Sequence, residues 1–432
     1  MNYGRQQFYN LLRWSEKYFK TDMVYLFKGS FWLTLSQGLA AVASFLLAIA
    51  FANLLPKEAY GNYKYILSLS GIIGTLGLTG IGVGIVQAVA RGYDGTLIKA
   101  FALNLKWSIF QVIIALGAAI YYFVNGNVLL GASLVIIGLT TPFLKGFELY
   151  NAYLGGKREF RTATFYSFIK DISTSVLIFL VILFSDNVIL IVAVFFISNT
   201  LFNSFYFRRI ASRIINLHSV DYGALGFGKH LSVINVLLNI SAQLDKVIIF
   251  HYIGAIELAI YSFAVAIPKQ VRGMVGMVSS LAMPNFSHRS VEEIRRSVPK
   301  KFFTSFLILG PLTVLYIIFA PFIYKILFPQ YLDSVIYSQI YALLIPLYGN
   351  LAETALTAKK AVRERYILSL GSSLFNVGTM FILIHFWGIL GIIISIVTTK
   401  YLTTILSLTF LRRLKEPTIV VLPSSPLSSI ES

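Results

Sequence analysis

The chain has 432 residues, of which 57% are hydrophobic and only 12% are charged, and its mean hydropathy is +0.75. A soluble globule of this size needs more polar surface than that, so the composition predicts a membrane protein. The formal net charge of +18 would indicate nucleic-acid binding in a soluble chain. In short loops between apolar segments it is better explained by contact with anionic lipid headgroups. The absence of cysteine excludes disulfides and thiol chemistry.

The first 28 residues contain no apolar run, and no small-residue cleavage site follows the first apolar segment. A signal peptide is therefore not expected. Apolar side chains of this leader fall on one helical face: Phe8, Leu11, Leu12, Tyr18 and Phe19. Segment 1–28 is predicted to be an amphipathic helix lying in the cytoplasmic interface of the membrane.

Apolar segments of about 20 residues, the length that crosses a bilayer core of about 30 Å, follow along the rest of the chain. Six crossings are predicted near 29–53, 65–90, 100–124, 127–154, 162–184 and 187–207, and they form an N-lobe of residues 29–212. After a basic hinge at 208–229, six more lie near 230–251, 258–284, 302–323, 335–358, 364–385 and 388–411, in a C-lobe of residues 213–412. The tail 413–432 contains Pro and Ser repeatedly and is predicted to be disordered and cytoplasmic. The predicted fold is all-α and polytopic, with about twelve transmembrane helices in two six-helix lobes.

Cations alternate between the two kinds of connection. One kind holds few: Lys57 and Lys64 after the first crossing and Lys325 after the ninth. The other kind holds many: the leader, Arg91/Lys99/Lys106, Lys145/Lys157/Arg158/Arg161, Arg208/Arg209/Arg213/Lys229, Lys269/Arg272/Arg289/Arg295/Arg296/Lys300/Lys301, Lys359/Lys360/Arg363/Arg365 and Arg412/Arg413/Lys415. Because basic loops stay in the cytoplasm, the alternation predicts a multi-pass protein of the cell membrane with both termini cytoplasmic.

A weak internal repeat appears when the chain is offset by 198 residues. The offset aligns Leu46 with Leu244 and Tyr63 with Tyr261 without a gap. Six crossings separate the two copies, so the lobes are expected to have the same orientation, related by an axis along the membrane normal.

The seventh crossing carries a polar stripe. Asn235, Asn239, Gln243 and Lys246 recur on one helical face, with Asp245 beside them. Unpaired amides in hydrocarbon are costly, so this face is predicted to line a water-filled cavity. The alternative is that these side chains hold neighbouring helices together by hydrogen bonds.

Several charges lie inside predicted crossings: Lys170, Asp171, Asp245, Lys246, Glu353 and Lys400. A charge at a helix centre is costly in a membrane, so several together indicate a transport pathway. For Lys170 the alternative is snorkelling to the membrane surface, and for Asp245 and Lys246 it is a local ion pair.

The glycine-rich segment 71–84 favours close helix packing, with a flexible helix that bends during transport as the alternative. The five histidines lack the spacing of metal ligands, and no Asp-x-Asp pair is present to hold a metal–sugar nucleotide. We therefore expect no catalytic residues, no metal and no cofactor.

The first unit of the chain resembles the polysaccharide flippase family. It has a Lys28-Gly29-Ser30 start, a first crossing, a short turn with Pro56, Glu58 and the Tyr60-Gly61-x-Tyr63 pattern, and a glycine-rich second crossing. Segment 244–268 (LDKVIIFHYIGAIELAIYSFAVAIP) is similar to the seventh and eighth crossings of the same family. The resemblance covers about 29–412. It implies a two-lobed, MATE-like fold of the multidrug/oligosaccharidyl-lipid/polysaccharide exporter superfamily and a polyprenyl-diphosphate-linked oligosaccharide as substrate.

Such a substrate needs amides for its sugars and cations for its diphosphate. The expected substrate contacts are Asn235, Asn239 and Gln243 for sugar, Lys170, Lys246 and Lys400 for diphosphate, and Arg91 and Arg161 at the cytoplasmic mouth. Asp171, Asp245 and Glu353 are the candidates for binding H⁺ or Na⁺ as the coupling ion. The expected partners are the lipid-linked glycan, membrane lipids and polysaccharide assembly proteins, and not nucleic acid.

Two alternatives remain at this point. A MATE-type, ion-coupled exporter of organic cations would share the fold, but it should favour carboxylates and aromatic residues over lysines in its cavity. An integral-membrane polysaccharide polymerase or transferase would need a metal motif or a large outer loop, and the sequence has neither.

Overall fold

A computed structural model describes residues 23–359 and 361–414, and within them the regular secondary structure is helical throughout. The first lobe contains α1 (Met23–Leu54), α2 (Lys57–Thr75), α3 (Ile81–Ala90), α4 (Thr96–Val124), α5 (Val128–Glu148), α6 (Tyr150–Gly156), α7 (Phe160–Phe184) and α8 (Val188–Ala211). The second contains α9 (Tyr222–Tyr252), α10 (Ala255–His288), α11 (Val291–Leu327), α12 (Ser334–Ala342), α13 (Ala352–Ala358) and α14 (Val362–Arg413). Two short 3₁₀ helices, Pro329–Tyr331 and Ile345–Gly349, flank α12. The predicted interfacial leader lies almost wholly outside the described residues, as does the predicted disordered tail.

Ten of the twelve predicted crossings are helical over nearly their whole length, whereas 65–90 and 335–358 are each interrupted. By length and hydropathy alone, seven of the described helical spans can cross a membrane, or eight if the bent segment Ser334–Gly349 with Ala352–Ala358 counts as one. The long α14 covers two predicted crossings, because Gly388 (φ 54°, ψ −129°) breaks it into two helices. The protein is an all-α, multi-pass membrane protein.

Side-chain caps set several helix starts. Asn127 accepts a hydrogen bond from the Leu130 N–H at 3.0 Å, and Asn187 accepts from the Ile189 N–H at 2.9 Å. Asp221 accepts from the Ala224 N–H at 2.9 Å, so α9 begins at Tyr222 rather than near residue 230. The predicted basic hinge of 208–229 is therefore wrong in extent, and the connection between α8 and α9 covers 212–221 only.

The helix ends reproduce the 198-residue offset. The helix α1 ends at Leu54 and α9 at Tyr252, while α2 begins at Lys57 and α10 at Ala255. The copies differ further on, because α10 continues unbroken whereas the corresponding segment of the first lobe is interrupted between α2 and α3. The glycine-rich stretch is thus a broken helix, with non-helical backbone at 76–80.

Candidate functional site

Aromatic side chains of both lobes meet at the end of the bundle where α2 and α10 begin. We call the set Phe51, Tyr60, Tyr63, Phe263, Phe328 and Tyr331 the aromatic closure; all six are buried. Tyr60 stacks on Phe263 with ring centroids 4.7 Å apart, and Phe263 lies 4.1 Å from Tyr331. The lobes are therefore joined here by rings that a change of lobe angle would separate.

Polar contacts border the aromatic closure. The Lys57 ammonium lies 3.2 Å from the Asp333 carboxylate, and the Asn53 amide donates to the Leu327 carbonyl at 3.1 Å. At Gly61 a side chain would overlap the Ala255 carbonyl, so α2 and α10 approach each other as closely as their backbones allow. This end of the lobe interface is sealed.

Deeper in the bundle, cations from both lobes gather in what we call the central cation cluster: Lys64, Lys246, Lys269 and Arg272. Lys269 of α10 lies within electrostatic range of the other three and of Asp245. Lys269 is 14 residues into α10, about 21 Å along the helix from its first residue. Asp245 thus interacts electrostatically with Lys246 and Lys269, and Lys269 in turn with Lys64 and Arg272.

Tyrosines form the walls of the central cation cluster. The Lys269 ammonium lies 6.0 Å from the Tyr261 ring and 5.9 Å from the Tyr341 ring. Lys64 lies 5.1 Å from the Tyr60 ring. Ring faces stabilise cations that have lost part of their hydration, so these tyrosines offset part of the cost of burying the lysines.

Asp245 is the carboxylate within this cluster, and it is only 6% exposed. Tyr261 donates a hydrogen bond to it at 2.6 Å, and the Lys246 ammonium lies 3.4 Å away and also donates to Gln243 at 2.9 Å. The local Asp245–Lys246 pair left open by the sequence is therefore formed.

The polar stripe of α9 divides between two environments. Gln243 faces α2, where its side chain packs against Gly71 of the other lobe. Asn235 and Asn239 lie closer to the start of α9 than Gln243 does, and both are partly exposed. Gln243 thus packs against the other lobe, as the alternative interpretation held, and the cavity wall at Asn235 and Asn239 stays a prediction.

The remaining predicted site residues form separate charge groups. In α7, Lys170 and Asp171 pair at 3.7 Å. In the C-lobe, Glu353 is bridged by Lys400 at 3.1 Å and by Arg365 at 3.0 Å. Lys400 and Glu353, assigned separate roles from the sequence, are partners in the structure.

The two predicted mouth arginines lie apart from each other. Arg91 pairs with Asp221 at 2.5 Å and so ties the end of α3 to the start of α9. Arg161 lines a cavity of about 480 Å³ between α7 and Leu35 and Leu39 of α1. Arg91 therefore joins the lobes to each other.

Sequence reasoning missed Lys64, Lys269 and Arg272. Lys64 was assigned to an outer connection, and Lys269 and Arg272 were counted with a cytoplasmic one; in the structure all three lie inside helices, Lys64 in α2 and the other two in α10. The signal was present, because Lys269 and Arg272 lie well within the predicted crossing 258–284.

The break between α2 and α3 is held by side chains from both lobes. Gln111 of α4 donates to the Gly74 carbonyl at 3.0 Å, and the Leu78 N–H donates to Asn104 at 3.4 Å. From the other lobe, Ser232 of α9 accepts from the Gly80 N–H at 2.9 Å. Backbone groups released by the break are thus satisfied within the bundle, as hydrocarbon requires.

This architecture is that of solved MATE transporters of the MOP superfamily. An inward-facing multidrug-resistance MATE transporter matches with a TM-score of 0.66 at 17% identity, covering 88% of this chain and 94% of that one. An outward-facing MATE transporter matches with a TM-score of 0.64 at 18% identity, covering 89% and 95%. A MOP superfamily transporter from Pyrococcus furiosus, described as having a binding pocket of reverse polarity, matches with a TM-score of 0.60 at 15% identity, covering 89% and 95%.

The fold is that of an all-α, multi-pass membrane protein. Among curated proteins no significant match is found. The family model described as "Polysaccharide biosynthesis protein" matches residues 26–289, and the chain belongs to that family.

Proposed function

We propose that this protein flips a polyprenyl-diphosphate-linked oligosaccharide across the cell membrane by alternating access, for the synthesis of a surface polysaccharide. The observation that carries the proposal is the central cation cluster. The four cations of the cluster outnumber Asp245, and in our proposal this excess of positive charge lies inside the membrane span, where it is costly unless an anionic ligand or water compensates for it. A diphosphate is such a ligand, and lysine and arginine bind phosphate oxygens by charge-assisted hydrogen bonds.

The family assignment supports a glycan as the other part of the substrate. The partly exposed Asn235 and Asn239 supply amides for sugar hydroxyls on the same helix as Lys246. A MATE-type exporter of organic cations is the second candidate, since the fold is shared. It is disfavoured because Asp245 and Glu353 are already paired with lysines and the central cluster would repel a cationic ligand.

Orientation and coupling complete the proposal. The alternation of basic connections supports cytoplasmic termini, which puts the aromatic closure at the outer side of the membrane. Coupling by H⁺ or Na⁺ would use Asp245, Asp171 or Glu353; each faces a lysine in this conformation, so ion binding would compete with an ion pair. Membrane lipids and polysaccharide assembly proteins are the proposed partners.

The test replaces lysines of the cluster one at a time. Lys246→Gln and Lys269→Gln should each weaken binding of a prenyl-diphosphate-linked glycan to protein in nanodiscs by about 10- to 150-fold, the equivalent of one lost charged hydrogen bond of about 1.5–3 kcal/mol. Lys246→Arg should retain more affinity because the charge survives. Lys400→Gln should also reduce export of the glycan, with the protein still present in the membrane.

Lys325→Gln is the matched control, because Lys325 is an exposed lysine at the end of α11. Wild-type binding by both Lys246→Gln and Lys269→Gln would disprove the diphosphate assignment. Energy-dependent efflux of organic cations that survives both substitutions would favour the exporter instead.

A further inference from the structure

A groove opens beside the break between α2 and α3, on the face of the bundle where α4 and α9 lie next to each other. It has a volume of about 380 Å³, within the range of pockets that bind small ligands. Leu76, Trp107 and Val236 form its apolar part, and Lys229 and His230 lie on its lining from α9. The groove therefore involves both lobes, because α4 belongs to the first and α9 to the second.

The rim of this groove is apolar and uncovered. Trp107 is 42% exposed, Phe110 on the same face of α4 is 58% exposed, and Val233 of α9 is 73% exposed. Apolar side chains uncovered at the middle of membrane-spanning helices face hydrocarbon. The groove thus opens sideways toward the lipid.

Charge is placed at one end of the groove only. Lys229 lies 7 residues into α9, about 10 Å along the helix, whereas Val236 lies about 21 Å along it. Within the described part of the chain, Lys229 and His230 form no ion pair, and the carboxylates at this end are engaged elsewhere, Asp221 with Arg91 and Asp94 with Lys157. Positive charge at headgroup depth, followed by an apolar channel, matches a lipid with an anionic headgroup.

Tight packing between α3 and α9 separates the groove from the central cation cluster. A side chain at Gly80 would lie 2.7 Å from the Ser232 nitrogen, and one at Gly84 would overlap the Ala224 carbonyl. A glycan entering from this side would meet a closed backbone contact. The occupant that fits is a lipid that stays in the groove.

We propose that an anionic phospholipid binds here, with its phosphate at Lys229 and His230 and one acyl chain along Trp107 and Val236. The lipid contacts both lobes and the loop at Gly77, so it favours the conformation in which α4 and α9 lie side by side. This site is independent of the transported substrate.

Fluorescence quenching of Trp107 by brominated acyl chains tests the proposal. The protein is placed in phosphatidylcholine vesicles containing brominated phosphatidylglycerol, or in vesicles where the same fraction of phosphatidylcholine is brominated. The chain has four tryptophans, so the difference between wild type and Trp107→Phe isolates the relevant signal. We expect brominated phosphatidylglycerol to quench Trp107 at least twofold more strongly than brominated phosphatidylcholine.

Variants identify the headgroup contact. The double substitution Lys229→Gln with His230→Gln should abolish the stronger quenching by brominated phosphatidylglycerol, whereas Lys229→Arg should keep it. Arg208 is an exposed cation at the end of α8, and Arg208→Gln should leave the stronger quenching unchanged. Equal quenching by the two headgroups in wild type would refute the site, as would a preference that survives the double substitution. Displacement of brominated phosphatidylglycerol by a prenyl diphosphate at much lower concentration would also refute it, by making the groove a substrate site.

Discussion

Replacing Tyr60 with leucine tests whether the aromatic closure holds the lobes in this conformation. The ring makes two contacts with the other lobe, to Phe263 at 4.7 Å and to Tyr331 at 6.5 Å, and two within its own lobe, to Phe51 and Tyr63. Only the first two change when the lobes separate. At about 0.5–1.5 kcal/mol for each aromatic pair, Tyr60→Leu should destabilise the closed end by about 1–3 kcal/mol. The population ratio of closed to open should fall by about 5- to 150-fold.

Spin-label distances measure that ratio directly. The chain has no cysteine, so Leu54→Cys and Leu332→Cys, both exposed positions beside the closure, can be labelled without background. Phe101→Leu is the matched control, since Phe101 contacts Phe147 and Phe207 within the first lobe only. In nanodiscs Tyr60→Leu should add a longer distance that Phe101→Leu does not. Identical distance distributions in the two variants would refute the reasoning.

Three further predictions concern packing, accessibility and topology. Gly61→Ala should open the same labelled distance and reduce transport, because its new methyl group overlaps the Ala255 carbonyl, whereas Gly117→Ala, with open space around it, should do neither. Cysteine at position 235 or 239 should react with a small water-soluble thiol reagent and cysteine at 248 should not, as accessibility labelling will show; equal protection of all three would mean that α9 has no water-filled face. Reporter fusions after Arg158, Arg209, Arg296 and Arg365 should report cytoplasm and fusions near Asn187 and Asp333 the outside, and a cytoplasmic signal at Asn187 would contradict the orientation.

The positions of the helices could be predicted because their signal is long and local. A run of about 20 apolar residues is unlike any loop, and Pro56 and Gly254 mark two corresponding turns. The break at 76–80 could not be predicted, since glycine suits both close packing and an interrupted helix. What decides between them is the set of capping partners, of which Asn104 and Ser232 are distant in sequence.

The candidate site could be predicted only in part for the same reason. The stripe on α9 placed Lys246 and Asp245 at the interface, because helical periodicity is local. We assigned Lys64, Lys269 and Arg272 to connections between crossings because they are basic. The charge of a side chain carries no information on how far a helix such as α10 extends. The pairing of Lys400 with Glu353 joins residues 47 positions apart and depends on how α13 packs on α14.

The interruption between α2 and α3 has no counterpart in α10, although both segments follow the same repeated helix pair. A pseudo-symmetric transporter whose two corresponding helices differ in this way cannot move symmetrically. The helix α10 is continuous, whereas the first lobe is interrupted at 76–80, where the Gly80 N–H is held by Ser232 of the opposite lobe. Relative motion of the lobes would break that hydrogen bond. The buried Gly80 N–H would then lack an acceptor, at a cost of about 1–3 kcal/mol. We therefore expect the two lobes to differ in how their corresponding helices respond when the lobes move relative to each other.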